Sequence, residues 1–147
     1  MVRAAVSDNP HFTVSDREMT DEGFTYTFRT LERIMEEKPE TDIFFIMGAD
    51  SLFDFDKWRE PARIASACTL VAAVRNHTPL PDMERKMQEI REKYNARIVR
   101  LDTENIDVSS HMIRRETALK RTIRYYVPEA VRKYIEEHQI YQTLEEV

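Results

Sequence analysis

Glycine is nearly missing from this 147-residue chain, with Gly23 and Gly48 the only two. A glycine-rich phosphate cradle is thereby excluded, and neither a P-loop nor a G-x-G-x-x-G turn is present. Cysteine is scarcer still: Cys68 stands alone, so no internal disulfide can form and a reducing compartment is open to the chain. Its expected role is that of a buried thiol. No apolar run approaches the roughly 20 residues that span a bilayer, and Met1 to Pro10 lacks the basic-then-apolar order of a signal peptide. The expected location is the cytoplasm, with no membrane association. An excess of positive charge is also wanting, since 22 Lys and Arg face 27 Asp and Glu for a net charge of −5. General nucleic-acid binding, which draws on Lys and Arg neutralising phosphates, is disfavoured. His11, His77, His111 and His138 are scattered without metal-ligand spacing, and one cysteine cannot complete a zinc site. No protein-built metal centre is expected.

What is there suits one domain with its own core: 41% of residues are hydrophobic and 33% charged, and no repeat, low-complexity stretch or linker divides residues 1–147. Apolar runs alternate with segments of helical period, the order of a largely parallel sheet with crossover helices. Strands are predicted at about Phe12–Ser15, Ile43–Met47, Thr69–Val74 and Arg97–Leu101. The second is apolar at every position, which suits a central strand covered on both faces. Helices are predicted over Thr27–Glu37 (stripe Phe28, Leu31, Ile34, Met35), Trp58–Ser66 and Met83–Tyr94, and from Pro128 to about Gln139. The charges of the third read as a solvated face.

Ligands of open α/β sheets bind beyond the carboxyl ends of the strands, so residues just after each apolar run carry the functional information. After Met47 come Gly48, which lets a ligand approach the backbone, and Asp50, suited either to ribose hydroxyls or to capping a short helix at Ser51–Phe55. Arg75 follows the third run as a single cation. After the fourth, Asp107-Val108-Ser109-Ser110-His111-Met112-Ile113-Arg114-Arg115 offers hydroxyls, the free N–H groups of a starting helix and guanidinium groups one turn in. A phosphate site and an ordinary serine cap with solvated arginines both fit it. Trp58, the sole tryptophan, reads either as a platform for a planar ring or as a side chain half-packed on the surface.

Phe45-Ile46-Met47-Gly48-Ala49-Asp50-Ser51-Leu52, then Trp58, then Ser109-Ser110-His111-Met112-Ile113-Arg114 resemble, in order and spacing, the bacterial nicotinate-nucleotide adenylyltransferases. Asn9-Pro10-His11-Phe12, Tyr26-Thr27 and Ile123-Arg124-Tyr125-Tyr126-Val127-Pro128 extend the likeness over nearly the whole chain. The Ser-Ser-x-x-Ile-Arg element alone is shared with other nucleotidyltransferases. The resemblance implies a Rossmann-like α/β fold with a mostly parallel sheet and C-terminal helices. It implies an enzyme of NAD biosynthesis in which the phosphate of nicotinate mononucleotide attacks the α-phosphorus of ATP. Deamido-NAD and pyrophosphate result, with Mg²⁺ riding on the triphosphate. By the same resemblance Trp58 stacks on the pyridine ring, backbone N–H groups of Thr27 and Arg59 take its carboxylate, and Arg75 lies near the phosphates. Gly48 and Asp50 meet the adenosine ribose, and Ser109, Ser110 and Arg114 hold the triphosphate.

Two departures accompany the match. The family opens with a strand and a glycine-rich loop bearing a His-x-x-His pair, whereas here Met1-Val2-Arg3 already reads as part of a later helix. The expectation is a sheet without its first strands, no catalytic histidine pair, self-association through uncovered apolar faces, and little turnover by the isolated polypeptide. Lys120 also stands where the family keeps a turn glycine. A non-catalytic nucleotide-binding module and an adenylyltransferase for another acceptor, such as phosphopantetheine, are the competing readings.

Overall fold

The structure, a computed structural model, describes residues 1–19, 23–74, 80–103, 106 and 108–143. It divides into two compact units: Arg17–Asn105, and Met1–Asp16 together with Ile106–Val147.

The larger unit holds helix α2 (Thr27–Glu37), strand β1 (Phe44–Gly48), helix α3 (Ala49–Phe53), a 3₁₀ turn (Phe55–Lys57), helix α4 (Pro61–Ala67), strand β2 (Thr69–Val74), helix α5 (Leu80–Tyr94) and strand β3 (Arg97–Asp102). The three strands form one parallel sheet in the order β1-β2-β3, with Met47 opposite Ala72 and Ala72 opposite Arg100. Strand alternation sends Phe45 and Met47 of β1, Leu70 and Ala72 of β2 and Ile98 of β3 into the core. Phe28 and Leu31 of α2, Ile64 of α4, and Met83, Met87 and Ile90 of α5 close over them. Leu52 and Phe55 have no exposure at all, each contributing roughly 1.5–3 kcal/mol of burial.

Several expectations are corrected. The central strand is β2, and the all-apolar β1 lies at the sheet edge with Phe44 62% and Ile46 65% exposed. Val99 and Leu101 of β3 are exposed in register with Ile46 and Gly48, so the row opposite the core is also apolar. An apolar run declares that a strand favours cover on both faces; it does not supply the neighbour. Phe12–Ser15 forms no strand, because among the described residues no strand pairs with it. Met35 is exposed rather than part of the α2 stripe. The predicted helix at Trp58 begins instead at Pro61: the residue before a proline is driven out of the α region, and Glu60 takes φ 55° there, with Pro61 in the first turn.

The smaller unit contains α1 (Val2–Ala5), α6 (Ser110–Ala118) and α7 (Glu129–Glu137), packed around Ile113, Ile123, Val131 and Ile135. Both longer helices end in a Schellman motif. At α6 the Lys120 N–H donates to Thr117 and the Arg121 N–H to Glu116, each at 2.9 Å; at α7 Gln139 donates to Glu136 at 3.2 Å and Ile140 to Ile135 at 3.1 Å. The left-handed residues are Lys120 at φ 55° and Gln139 at φ 52°. Lys120 therefore occupies the conformation that a glycine would take without strain.

Candidate functional site

Three residues spread over more than thirty positions of sequence meet in the larger unit. Thr27, Trp58 and Arg59 line a cavity of about 180 Å³ together with Thr25, Tyr26 and Ile64. That is smaller than the roughly 300 Å³ at which sites for whole drug-sized ligands begin, so it fits a single ring with its substituent. Thr27 is the first residue of α2, whose N-cap Tyr26 has an extended backbone and makes no side-chain cap bond, and no acidic residue sits in that first turn. First-turn N–H groups lack intrahelical acceptors, so this end of α2 offers donors and positive potential to an anion. Trp58 is half-buried. Its ring stands edge-on to Phe45 at 6.0 Å and 79°, and tilted over Phe55 at 5.9 Å and 44°. One side of the indole is packed on the core, and Trp58 also lines the cavity.

Gly48 ends β1 and is the N-cap of α3. Its φ of −75° and ψ of 168° are extended backbone open to any residue, and a Cβ there would meet nothing within 4 Å. Among the described residues no neighbouring atom requires the glycine, and its backbone does not either. Asp50 is exposed in the first turn of α3, so the expectation that it caps a helix at Ser51–Phe55 is corrected: the helix starts at Ala49. Neither Gly48 nor Asp50 lines the Trp58 cavity.

In the smaller unit Ser109 is the N-cap of α6, its hydroxyl accepting from the Met112 N–H at 3.1 Å. Arg114 donates to the Ser110 hydroxyl at 3.4 Å and lies 5.9 Å from the centre of the Tyr141 ring. The serine cap and the guanidinium one turn in are therefore assembled as the sequence suggested. Arg75, His77 and Asp107 lie outside the described residues. Among the described residues no group of three or more His, Cys, Asp or Glu is placed to hold a metal ion, and no helix is long and apolar enough to cross a membrane.

Sequence reasoning overlooked Ile64 and the residues that hold the Trp58 loop. Asp56 accepts from Lys93 Nζ and from the Tyr94 hydroxyl, each at 2.6 Å, through Oδ1, and from Lys86 Nζ through Oδ2. The bonds from Lys86, Lys93 and Tyr94, in that order, hold the Asp56 carboxyl far below the usual carboxylate range. Burial and the donation to Asp56 raise the Tyr94 phenol. The charged face of α5 is thus not wholly solvated, which corrects the reading of its charges as a solvated face.

A sequence family described as cytidylyltransferase-like matches residues 1–116. With the parallel sheet and crossover helices, this makes the chain a nucleotidyltransferase of that family. A Lachnoclostridium phytofermentans protein named "Probable nicotinate-nucleotide adenylyltransferase" is 43% identical over 141 residues, covering 96% of this chain and 70% of its own length. One of the same name from Clostridium beijerinckii is 36% identical, covering 97% of this chain and 72% of itself. The chain accordingly belongs to the nicotinate-nucleotide adenylyltransferases. A similar fold is found in Plasmodium falciparum nicotinic acid mononucleotide adenylyltransferase complexed with APC, at TM-score 0.62 and 17% identity over 82% of this chain and 60% of that one.

Proposed function

We propose that this chain binds nicotinate mononucleotide and ATP and serves adenylyl transfer between them, the activity that its relatives' name states. A phosphate oxygen of the mononucleotide forms a bond to the α-phosphorus of ATP as the bond from that phosphorus to the bridging oxygen breaks. Pyrophosphate leaves and deamido-NAD is the other product; Mg²⁺ brought in with ATP would neutralise charge on the triphosphate. Such a transfer needs two anions aligned and their charge neutralised, and no covalent enzyme intermediate. One observation carries the reading: Thr27, Trp58 and Arg59 line one ring-sized cavity beside an uncapped helix N-terminus. In it the indole stacks on the pyridine ring, and the Thr27 and Arg59 N–H groups take the ring carboxylate. The open space at Gly48, with Asp50 after it, receives the adenosine ribose; in the smaller unit Ser109, Ser110 and Arg114 have the chemistry to take phosphate, and the resemblance gives the same role to Arg75.

The reading treats residues 1–147 as one nucleotidyltransferase domain, because the matched family region runs through parts of both units. It places the protein in the cytoplasm, with the exposed Phe44, Ile46, Val99 and Leu101 favouring self-association. The test is a titration followed by the fluorescence of Trp58, the only indole. Nicotinate mononucleotide is expected to quench it saturably and phosphopantetheine not, and Trp58→Ala is expected to abolish mononucleotide binding seen by calorimetry. Undiminished mononucleotide binding by the Trp58→Ala variant, or saturable binding of phosphopantetheine by the unaltered chain, refutes the assignment.

A further inference from the structure

We propose that Asp56 is a positioning residue for the acceptor ring: it clamps the Phe55–Lys57 turn to α5 and so sets the plane of Trp58 at the cavity. The inference rests on the reading of Trp58 as the platform for the pyridine. A single 3₁₀ turn has little hold of its own, and this one carries the indole at its end, where the Trp58 N–H donates to the Phe55 carbonyl at 3.1 Å. Just beyond, Glu60 is held left-handed at φ 55°, a conformation that persists only where the surroundings over-determine it.

The hold on the turn itself comes from α5, thirty to thirty-eight residues from Asp56 in sequence. Asp56 is gripped by two ammonium groups and a phenol, with its own side chain 30% exposed and that of Lys86 13% exposed. Lone exposed ion pairs contribute little, but a carboxylate that accepts three charge-strengthened or phenolic bonds is fixed in direction. Tyr94 grips the turn a second time, its ring edge-on to Phe55 at 5.7 Å and 82°. Phe55 in turn supports Trp58, and Phe45 of β1 meets the indole from the sheet. The indole therefore has two supports, one from the sheet and one that reaches α5 through Asp56 and Tyr94. Loss of the Asp56 bonds leaves the buried Phe55 in place but frees the turn to rotate about it, which changes the stacking plane rather than the fold.

The experiment uses the whole chain with Asp56→Asn, Asp56→Glu and Tyr94→Phe, and reads three quantities: acrylamide quenching of Trp58 without ligand, the Kd of nicotinate mononucleotide, and the Kd of ATP. In Asp56→Asn, acrylamide quenching is expected to rise and mononucleotide affinity to fall roughly tenfold with ATP affinity unchanged. Tyr94→Phe should show a smaller change in the same direction, and Asp56→Glu a partial return. Unchanged quenching in Asp56→Asn refutes the clamp. An equal loss of affinity for both nucleotides refutes it as well, because that is the mark of general destabilisation. A wild-type chain that binds no mononucleotide, with quenching still raised in Asp56→Asn, overturns the acceptor reading and with it the role in recognition, while leaving the mechanical link intact.

Discussion

Replacing Gly48 by alanine separates what this glycine does for folding from what it does for a ligand. Its backbone, at φ −75° and ψ 168°, is available to any L-residue, and among the described residues no atom beyond its chain neighbours lies within 4 Å of the added Cβ. The folded state should therefore tolerate the methyl without strain, while the unfolded chain loses freedom, for a gain of about 0.4–1 kcal/mol. For a chain of this size that corresponds to a rise in Tm of about 1–4 °C. The same methyl would occupy the space in which adenosine is proposed to approach the end of β1. ATP affinity should fall about tenfold, or ~1.4 kcal/mol. Urea unfolding followed by circular dichroism and calorimetric titration of ATP read the two effects independently. Gly23→Ala is the contrast, since φ 96° is strained for any side chain and about 1 kcal/mol of stability should be lost. A destabilised Gly48→Ala, or a stabilised one with unaltered ATP affinity, refutes the reasoning.

Lys120→Gly relieves a left-handed residue costing ~1–2 kcal/mol and adds ~0.5–1 kcal/mol of unfolded-chain entropy, so a net gain of ~0.5–1 kcal/mol should appear in urea unfolding; a loss would show that the Lys120 side chain contributes contacts of its own. Ser109→Ala removes the acceptor of the Met112 N–H and should cost ~1 kcal/mol in the same assay, with ATP binding also weakened; unchanged ATP affinity would confine Ser109 to capping. Cys68 has no exposure and donates to the Ile64 carbonyl at 3.3 Å, and burial pushes its thiol up to about 11. An aromatic disulfide reagent should leave it untouched at neutral pH until the chain unfolds. Because the folded pKa is raised, its contribution to stability is full below the unfolded value of about 8.5 and should be lost as pH rises through about 11. Prompt labelling of the native chain would contradict that burial.

Local chemistry along the chain was enough to place most elements. Thr69–Val74 and Thr27–Glu37 form where the apolar pattern puts them, whereas Pro128, expected in the first turn of the last helix, stands just before it as the N-cap of α7. The serine cap at Ser109 was legible for the same reason, since a cap bonds within three residues. The order and spacing of Gly-Ala-Asp-Ser, Trp58 and Ser-Ser-x-x-Ile-Arg resemble the family to which the relatives assign the chain. The left-handed turn at Lys120 was likewise flagged by the expectation of glycine there.

Tertiary structure alone decided which strand has neighbours and which side chains from distant segments converge. An apolar alternation specifies which faces are to be covered, and says nothing of what covers them, so β1 reads as central in sequence and stands at the edge of the sheet. Asp56 looks like one more acid in a charged loop, and α5 like a solvated helix, until folding brings Lys86, Lys93 and Tyr94 onto one carboxylate. The Trp58 cavity has the same origin: hydrogen bonds and ring contacts act over a few ångströms of space, whereas sequence patterns register only a few residues of chain.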